Sequence, residues 1–511
     1  QREFALRTAL GASRVRVAGQ VVLEMLVLGG VSAVLATIAG LTGVRASVGL
    51  TNGWLLREAQ LRLDPRTVAF TAGVTLAASL AVGLLVAFSA TRVDLGRSLA
   101  EGGRATPIGR RQRMLRDALV STEAAIAMVL LAGAGLLIAS FARLSAVDPG
   151  FQREGIFTAK LTHAPHTYDS VAVIREFERR ALEHLRASPG ILSAGSTSTL
   201  PLTHGWNLPM TVEGRNDATE GGMEWRSASG DYFRTMGIRP VLGRPILDSD
   251  DAGAPPVVVI SESFARKYWR GQSPIGHRLL LGRFRGKLIG PAFDEPAREI
   301  VGVVPDLRDM ALDQKSFRST AWVPRPQMVA PLASLPAFVV RATDAGVAAA
   351  ALRRAVLDVD SELGVPTIAS MDDVVSASLW WRRFGVVLMS VFATVALVLT
   401  CIGIYGVVSY SVAQRVQEIG IRIALGARPS RVTRLVVAQG MRPAILGLIV
   451  GLAGALALTR LLRTMLYKVS PREPLPLGLV ALLLVAIALI ASYIPARRAA
   501  RVDPLTALRG E

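Results

Sequence analysis

One short block of this sequence occurs twice, and each copy runs directly into a long apolar stretch. Arg2-Glu3-Phe4-Ala5-Leu6-Arg7-Thr8-Ala9-Leu10-Gly11-Ala12 returns as Gln417-Glu418-Ile419-Gly420-Ile421-Arg422-Ile423-Ala424-Leu425-Gly426-Ala427. The alignment continues without a gap, with Arg16 facing Arg431, Val17 facing Val432 and Val21 facing Val436. The two units also close alike, since Arg92-Val93-Asp94 with Leu99 mirrors Arg501-Val502-Asp503 with Leu508, and Pro65 mirrors Pro474. Repetition beside apolar spans means that the chain holds two copies of one membrane module.

Composition agrees. With 51% hydrophobic residues and a mean hydropathy of +0.41, the apolar residues exceed what a soluble core of this length needs. Six stretches approach or exceed the ~20 apolar residues that cross a bilayer. They lie near residues 17–44, 67–90, 117–141, 384–413, 432–462 and 475–495. The first and fifth are long enough to require tilt or extension beyond the hydrocarbon.

The formal net charge of +19 raises nucleic acid as a partner, but the arginines crowd beside the spans. Arg92, Arg97, Arg104, Arg110, Arg111, Arg113 and Arg116 share one linker with only Asp94, Glu101 and Asp117. No basic run is interleaved with stacking aromatics, so nucleic acid is excluded as a partner. Short basic loops stay on the cytoplasmic side, as do Arg415 to Arg434 and Arg497 to Arg509. Cys401 falls inside a span, so no intrachain disulfide staples the exported part. The absence of an initiator Met before a truncated first repeat leads us to expect an N-terminally incomplete chain.

This orientation divides the chain. Residues 1–102 form a first module with two spans, 103–116 a basic cytoplasmic linker, 117–141 a span, 142–380 an exported domain, and 381–511 a second module with three spans. In the exported part, Val173, Ile174, Phe177, Ala181, Leu182 and Leu185 recur at helical spacing. Val257-Val258-Val259-Ile260 and Ile300-Val301-Gly302-Val303-Val304 read as strands, and a helix opens at Ser261. Strands alternating with helices predict an α/β domain whose strand order is not legible.

Two further patterns concern the modules. Gly447, Gly451 and Ala455 recur every four residues, and the repeat places Ser32, Ala36 and Gly40 opposite them, which predicts a helix-packing stripe in both copies. In the repeated block, Val416, Ile419 and Ile423 share one helical face, while Glu418 and Arg422 stand four apart in the favourable order. Gly426 is placed to end this helix. A segment so compact, charged and apolar suits docking to a cytoplasmic protein.

These blocks and the closing motifs closely resemble the permease module of the FtsX/MacB class of ABC transporters, in its duplicated-permease branch. Gly230-Asp231-Tyr232-Phe233-Arg234-Thr235-Met236-Gly237-Ile238, Leu242-Gly243-Arg244 and Ser273-Pro274-Ile275-Gly276 resemble the MacB-type periplasmic core domain. The resemblance implies a polytopic α-helical membrane protein with an inserted α/β periplasmic domain, multi-pass in the bacterial inner membrane. It implies that an ABC ATPase subunit, which binds the ATP and magnesium, docks on Glu418, Ile419, Gly420, Arg422, Ala424, Leu425 and Gly426. The first-copy counterpart would be Glu3, Arg7, Ala9, Leu10 and Gly11, although Phe4-Ala5-Leu6 replaces Ile-Gly-Ile there. ATP-driven closure would then reach the periplasmic domain for efflux, with a periplasmic adaptor and an outer-membrane channel as further partners. The competing reading is a signalling subunit that moves nothing and regulates a periplasmic enzyme such as a cell-wall hydrolase.

The sequence offers little to a catalytic reading. It contains no Gly-x-x-x-x-Gly-Lys-Ser/Thr loop and no Gly-x-Ser-x-Gly elbow, so this chain is expected to hold no cofactor and to catalyse nothing itself. His163 and His166 lack the helix of a zinc site, and Asp248, Asp250 and Asp251 lack the remainder of a calcium loop. No metal is expected. Glu24 and Glu123 are read as interfacial carboxylates near helix ends.

Overall fold

The computed structural model describes residues 13–50, 64–91, 110–161, 168, 170–203, 205–285, 287–314, 317–329, 332, 334–425, 427–462, 466–470 and 473–501. The sequence expectations for Glu3, Arg7, Ala9, Leu10, Gly11 and Gly426, and for His163 and His166, lie outside these residues. The chain divides into two compact units, residues 1–138 with 384–511, and residues 139–383.

Among the described residues, six helices are long and apolar enough to cross a membrane. They are α1 (Arg14–Leu50), α2 (Pro65–Thr91), α3 (Arg110–Ser145), α8 (Trp380–Ala413), α10 (Pro429–Leu462) and α11 (Pro474–Ala499), and each expected span falls inside one of them. In the absence of water, a helix is a spanning structure because it satisfies its own backbone. The hydroxyls follow the same rule: those of Thr37, Thr71, Thr75 and Ser79 each donate to a carbonyl one turn back. At 36 residues, α3 measures about 54 Å at the usual rise. It therefore outruns the bilayer core, because its helix continues through the arginines at one end and past Phe141 at the other.

The two repeats cross alike. In α1 and α2, Val21 and Ala87 are buried, and their counterparts Val436 and Ala496 are buried in α10 and α11. A Cβ at Gly83 would lie 3.2 Å from the Met25 side chain, and one at Gly440 would lie 2.8 Å from Ser492 Oγ. Under the repeat, Met25 corresponds to Gly440 and Gly83 to Ser492, so one contact point is used twice with the glycine on opposite helices.

Glu123 departs from its interfacial expectation. Because α3 starts at Arg110, thirteen residues earlier, this carboxyl lies at a helix–helix contact. Its Oε2 would be 2.1 Å from a Cβ at Gly403 of α8 and has no hydrogen-bond partner among the described residues. Gly403 thus makes the room that the carboxyl occupies.

The second unit is built on strands β1 (Ile156–Lys160), β2 (Ile191–Thr197), β3 (Trp206–Val212), β4 (Arg215–Ala228), β5 (Leu242–Gly243), β6 (Val257–Ser261), β7 (Arg278–Leu281), β8 (Arg283–Phe284), β9 (Lys287–Leu288), β10 (Arg298–Val304), β11 (Thr320–Pro324), β12 (Ala337–Ala342) and β13 (Thr367–Ser370). Its longer helices are α4 (Val171–Ala187), α5 (Glu262–Trp269), α6 (Ala345–Leu357) and α7 (Met371–Ser378), beside one short turn of helix at Tyr232–Thr235. The main sheet runs β11-β6-β10-β7-β3-β4-β2-β12-β1-β13, and β11 pairs again with β4. Six strands consequently form a closed circuit, from which β2, β12, β1 and β13 extend. Parallel pairing is confined to β10 with β6 and β11 with β4. Strand and helix alternation had predicted the α/β class; the largely antiparallel order is set by pairings distant in sequence.

Helix α4 packs Ile174, Phe177, Ala181, Leu182 and Leu185 inward, and α6 adds Ala348, Ala351, Leu352, Ala355 and Val356 to the same core. Fully burying a large apolar side chain contributes about 1.5–3 kcal/mol. Three arginines are buried with them. Arg298 donates to Glu295 and to both Gln327 oxygens, Arg325 to Glu178, Ser227 and the Ser334 carbonyl, and Arg226 to four backbone carbonyls. Such charges are tolerated in a core when they are paired and most of their donors are satisfied; Arg226 Nε makes no hydrogen bond but faces Asp309 Oδ1 at 3.5 Å.

Candidate coupling site

The second copy of the repeated block folds as α9 (Val416–Ala424), between α8 and α10. Apolar residues four apart give it one inward face. Ile419 is buried in a cluster with Val432 and Ala499, joined by Val412 and Ile423. Gly420 is buried beside it. Val432 lies on α10 and Ala499 on α11, so Ile419 ties the short helix to both long ones.

The other face points outward. Arg422 donates to Glu418 Oε1 at 2.6 Å, and both side chains are about half exposed, so the pair contributes only about 0.3–0.5 kcal/mol to the helix. Ala424 is exposed, Ile421 is 47% exposed and Leu425 is 82% exposed. Helix α9 ends by donating Leu425 N–H to the Ile421 carbonyl, and Ala427 N–H reaches the Arg422 carbonyl. Of the residues expected here, Glu418, Arg422, Ala424 and Leu425 form the surface, whereas Ile419 and Gly420 hold it in place. Ile421 was absent from the expected set. Its signal was available: an isoleucine about 200° around the helix from Ile419 sits on the polar face.

Around α9, arginines expected only to set orientation also make contacts. The Arg116 guanidinium stacks 4.0 Å from the Tyr410 ring centre, and Arg498 donates to Tyr405 Oη at 3.1 Å. Helix α8 is thereby gripped by α3 and α11 near the end that leads into α9, an arrangement that local sequence patterns do not reveal.

The small-residue stripe takes different forms in the two copies. A Cβ at Gly447 would lie 2.3 Å from the Ser121 carbonyl oxygen of α3, and one at Gly451 2.6 Å from that of Ala125. Ala455 is buried with Ala127, Met128 and Ala132, and Ser121 Oγ donates to the Pro443 carbonyl. Backbones meet directly along this line. In the first copy, Ser32, Ala36 and Gly40 are exposed, and no described atom lies within 4 Å of a Cβ at Gly40. The expected first-copy stripe is therefore exposed rather than packed among the described residues. Helix α1 meets α2 through a neighbouring face containing Met25 and Gly29.

Comparison with known proteins gives the same division. A model of the FtsX-like permease C-terminal region matches residues 1–95 and 390–504, and one of the MacB-like periplasmic core domain matches residues 124–359. Together they account for most of the chain. The macrolide export ATP-binding/permease protein MacB 2 of Aeromonas hydrophila is 25% identical over 349 residues, 67% of this chain and 50% of that protein. MacB of Burkholderia cenocepacia is 28% identical over 287 residues, 54% of this chain and 40% of that protein. This chain thus spans half or less of the length of these relatives. The periplasmic region of MacB from Actinobacillus actinomycetemcomitans covers 45% of this chain and 95% of its own, at 14% identity and a TM-score of 0.31.

Proposed function

Because this chain belongs to the FtsX/MacB class of permeases, we propose that it is the permease subunit of an export complex driven by a separate ABC ATPase. The observation that carries this reading is the two-sided character of α9. Its outward face offers Ile421, Leu425, Arg422 and Glu418, while Ile419 anchors it to α10 and α11. An ATPase closing on ATP and magnesium would press on the outward face, and the anchored face would pass the displacement to two spanning helices. The first-copy block at Glu3, Arg7, Ala9, Leu10 and Gly11 is a second docking position in the same scheme. The inserted domain would stand outside the inner membrane and engage a periplasmic adaptor leading to an outer-membrane channel.

The test is ATP turnover by the cognate ATPase in proteoliposomes containing the full chain. Leu425→Asp, or the double reversal Glu418→Arg with Arg422→Glu, should lower permease-stimulated turnover by roughly tenfold, the scale of one central contact residue. The double reversal keeps an oppositely charged pair within the helix, so α9 should persist. Unchanged stimulation in both variants would reject α9 as the docking element.

A further inference from the structure

The segment Asp306–Gln314, which leaves β10 on the way to β11, touches both places where the inserted unit continues into a spanning helix. At the entry, Arg308 N–H donates to the Pro149 carbonyl at 3.0 Å, in the turn that follows α3. Gly150 has φ +87° there, and a Cβ on it would lie 2.9 Å from the Asp306 carbonyl oxygen. Glycine is needed both for that backbone conformation and for the close approach. At the exit, Asp313 pairs with Arg382 in the first turn of α8. Both contacts lie within the second compact unit.

The same segment is anchored to helix α5 and to the sheet. Asp306 accepts from Ser263 N–H at 2.7 Å and pairs with Arg266 at 2.6 Å, both on α5. Buried Asp309 accepts from Thr320 of β11 at 2.8 Å, and its carbonyl receives a donor from buried Arg226 of β4 at 3.0 Å. Leu307 and Leu312 are buried between these anchors. A loop needed only to join two strands requires neither end contact. This one has a polar anchor on α5, another on the closed circuit of strands, and one contact at each membrane-facing junction.

We propose that Asp306–Gln314 is a clasp that couples the spacing of the α3 and α8 junctions to the strand circuit, with Arg382 and Gly150 as its two positioning residues. A change in that spacing must either break an end contact or pull on Asp306 and Asp309, which hold α5, β4 and β11. The direction of transmission, from membrane to sheet, rests on the permease reading above; the mechanical linkage does not.

Hydrogen exchange of the full chain in lipid nanodiscs, without any ATPase, tests the linkage. Arg382→Glu breaks the exit contact and should speed exchange at remote amides, those of Arg308 and Ser263, by roughly fivefold. That corresponds to about 1 kcal/mol, the upper range for a partly exposed ion pair. Adding Asp313→Arg to Arg382→Glu should restore wild-type exchange. Gly150→Ala should speed the same amides from the other junction. Acceleration confined to residues adjoining Arg382, acceleration spread evenly over the domain, or failure of the double variant to restore protection would each overturn the clasp. Because no ATPase is present, these results stand apart from the docking experiment, in which only the permease reading can fail.

Discussion

The α1–α2 hairpin and the α10–α11 hairpin are two copies of one sequence unit that meet the same crossing with different residues. In the first, Met25 on one helix faces Gly83 on the other; in the second, Gly440 faces Ser492. One turn along, Gly29 faces Ser79 in the first copy, while Ala444 and Ala488 share a cluster in the second. What is kept at each contact is a glycine or alanine on at least one side, not the identity of either residue. Close packing explains this, since removing a side chain leaves a cavity and adding one forces displacement. The copies diverge where their surroundings diverge: Gly447 and Gly451 press on α3, whereas Ser32 and Ala36 are exposed.

The largest expected effect breaks the symmetry. Gly447→Leu should destabilise the full chain in detergent by about 2–3 kcal/mol, because backbone atoms of α3 cannot yield. The repeat-equivalent Ser32→Leu should stay within about 0.5 kcal/mol. Thermal unfolding of the two variants decides the matter, and equal losses would mean that the first copy has a covered face after all. A smaller effect tests the second of these contacts. Gly29→Ala should cost about 1 kcal/mol, as its Cβ would meet Ser79 Oγ. Ser79→Ala should then recover most of it by recreating the alanine pair of the second copy; no recovery would deny that the crossings are equivalent.

The smallest effect supplies a control. None of the crossing residues named above titrates, so acid should leave the ranking of these variants unchanged. In the inserted unit, hydrogen bonds from Arg179 and Arg180 push the Glu176 carboxyl down from 4.5 to about 2. A depressed carboxylate gives stability that is complete above pH 4.5 and lost as pH falls towards 2. The group is exposed, so salt should erase the effect. A circular-dichroism titration of wild type and Glu176→Gln should show a slightly larger acid loss in wild type, and the difference only at low salt. A ranking of the hairpin variants that changes with pH would expose an unrecognised charge at a crossing.

What could be read from the sequence was local or repeated. The six spans announced themselves by length, the α9 block by duplication, and its inward face by the spacing of Ile419 and Ile423. Long-range facts were hidden. Periodicity placed Ser32 and Gly447 on equivalent faces, but which face meets a neighbour depends on helices elsewhere in the chain. Glu123 looked interfacial because apolar content marks a span while helical residues can extend beyond it. The closed strand circuit depends on β11 returning to β4 across almost a hundred residues, and the pairing of Asp313 with Arg382 crosses 69. Ile421 is a different case, visible in the helical wheel yet overshadowed by the charged pair beside it.

The first strand of the inserted unit, β1, lies between its last two, β12 and β13. Entry and exit are therefore neighbours in space, as in domains that tolerate insertion into a host chain. A unit whose two chain ends meet can be spliced into a helical bundle, or excised from it, without altering the bundle's own connectivity. Architecturally, the unit is a detachable cassette: a gene could exchange it for another of similar base while keeping its engine.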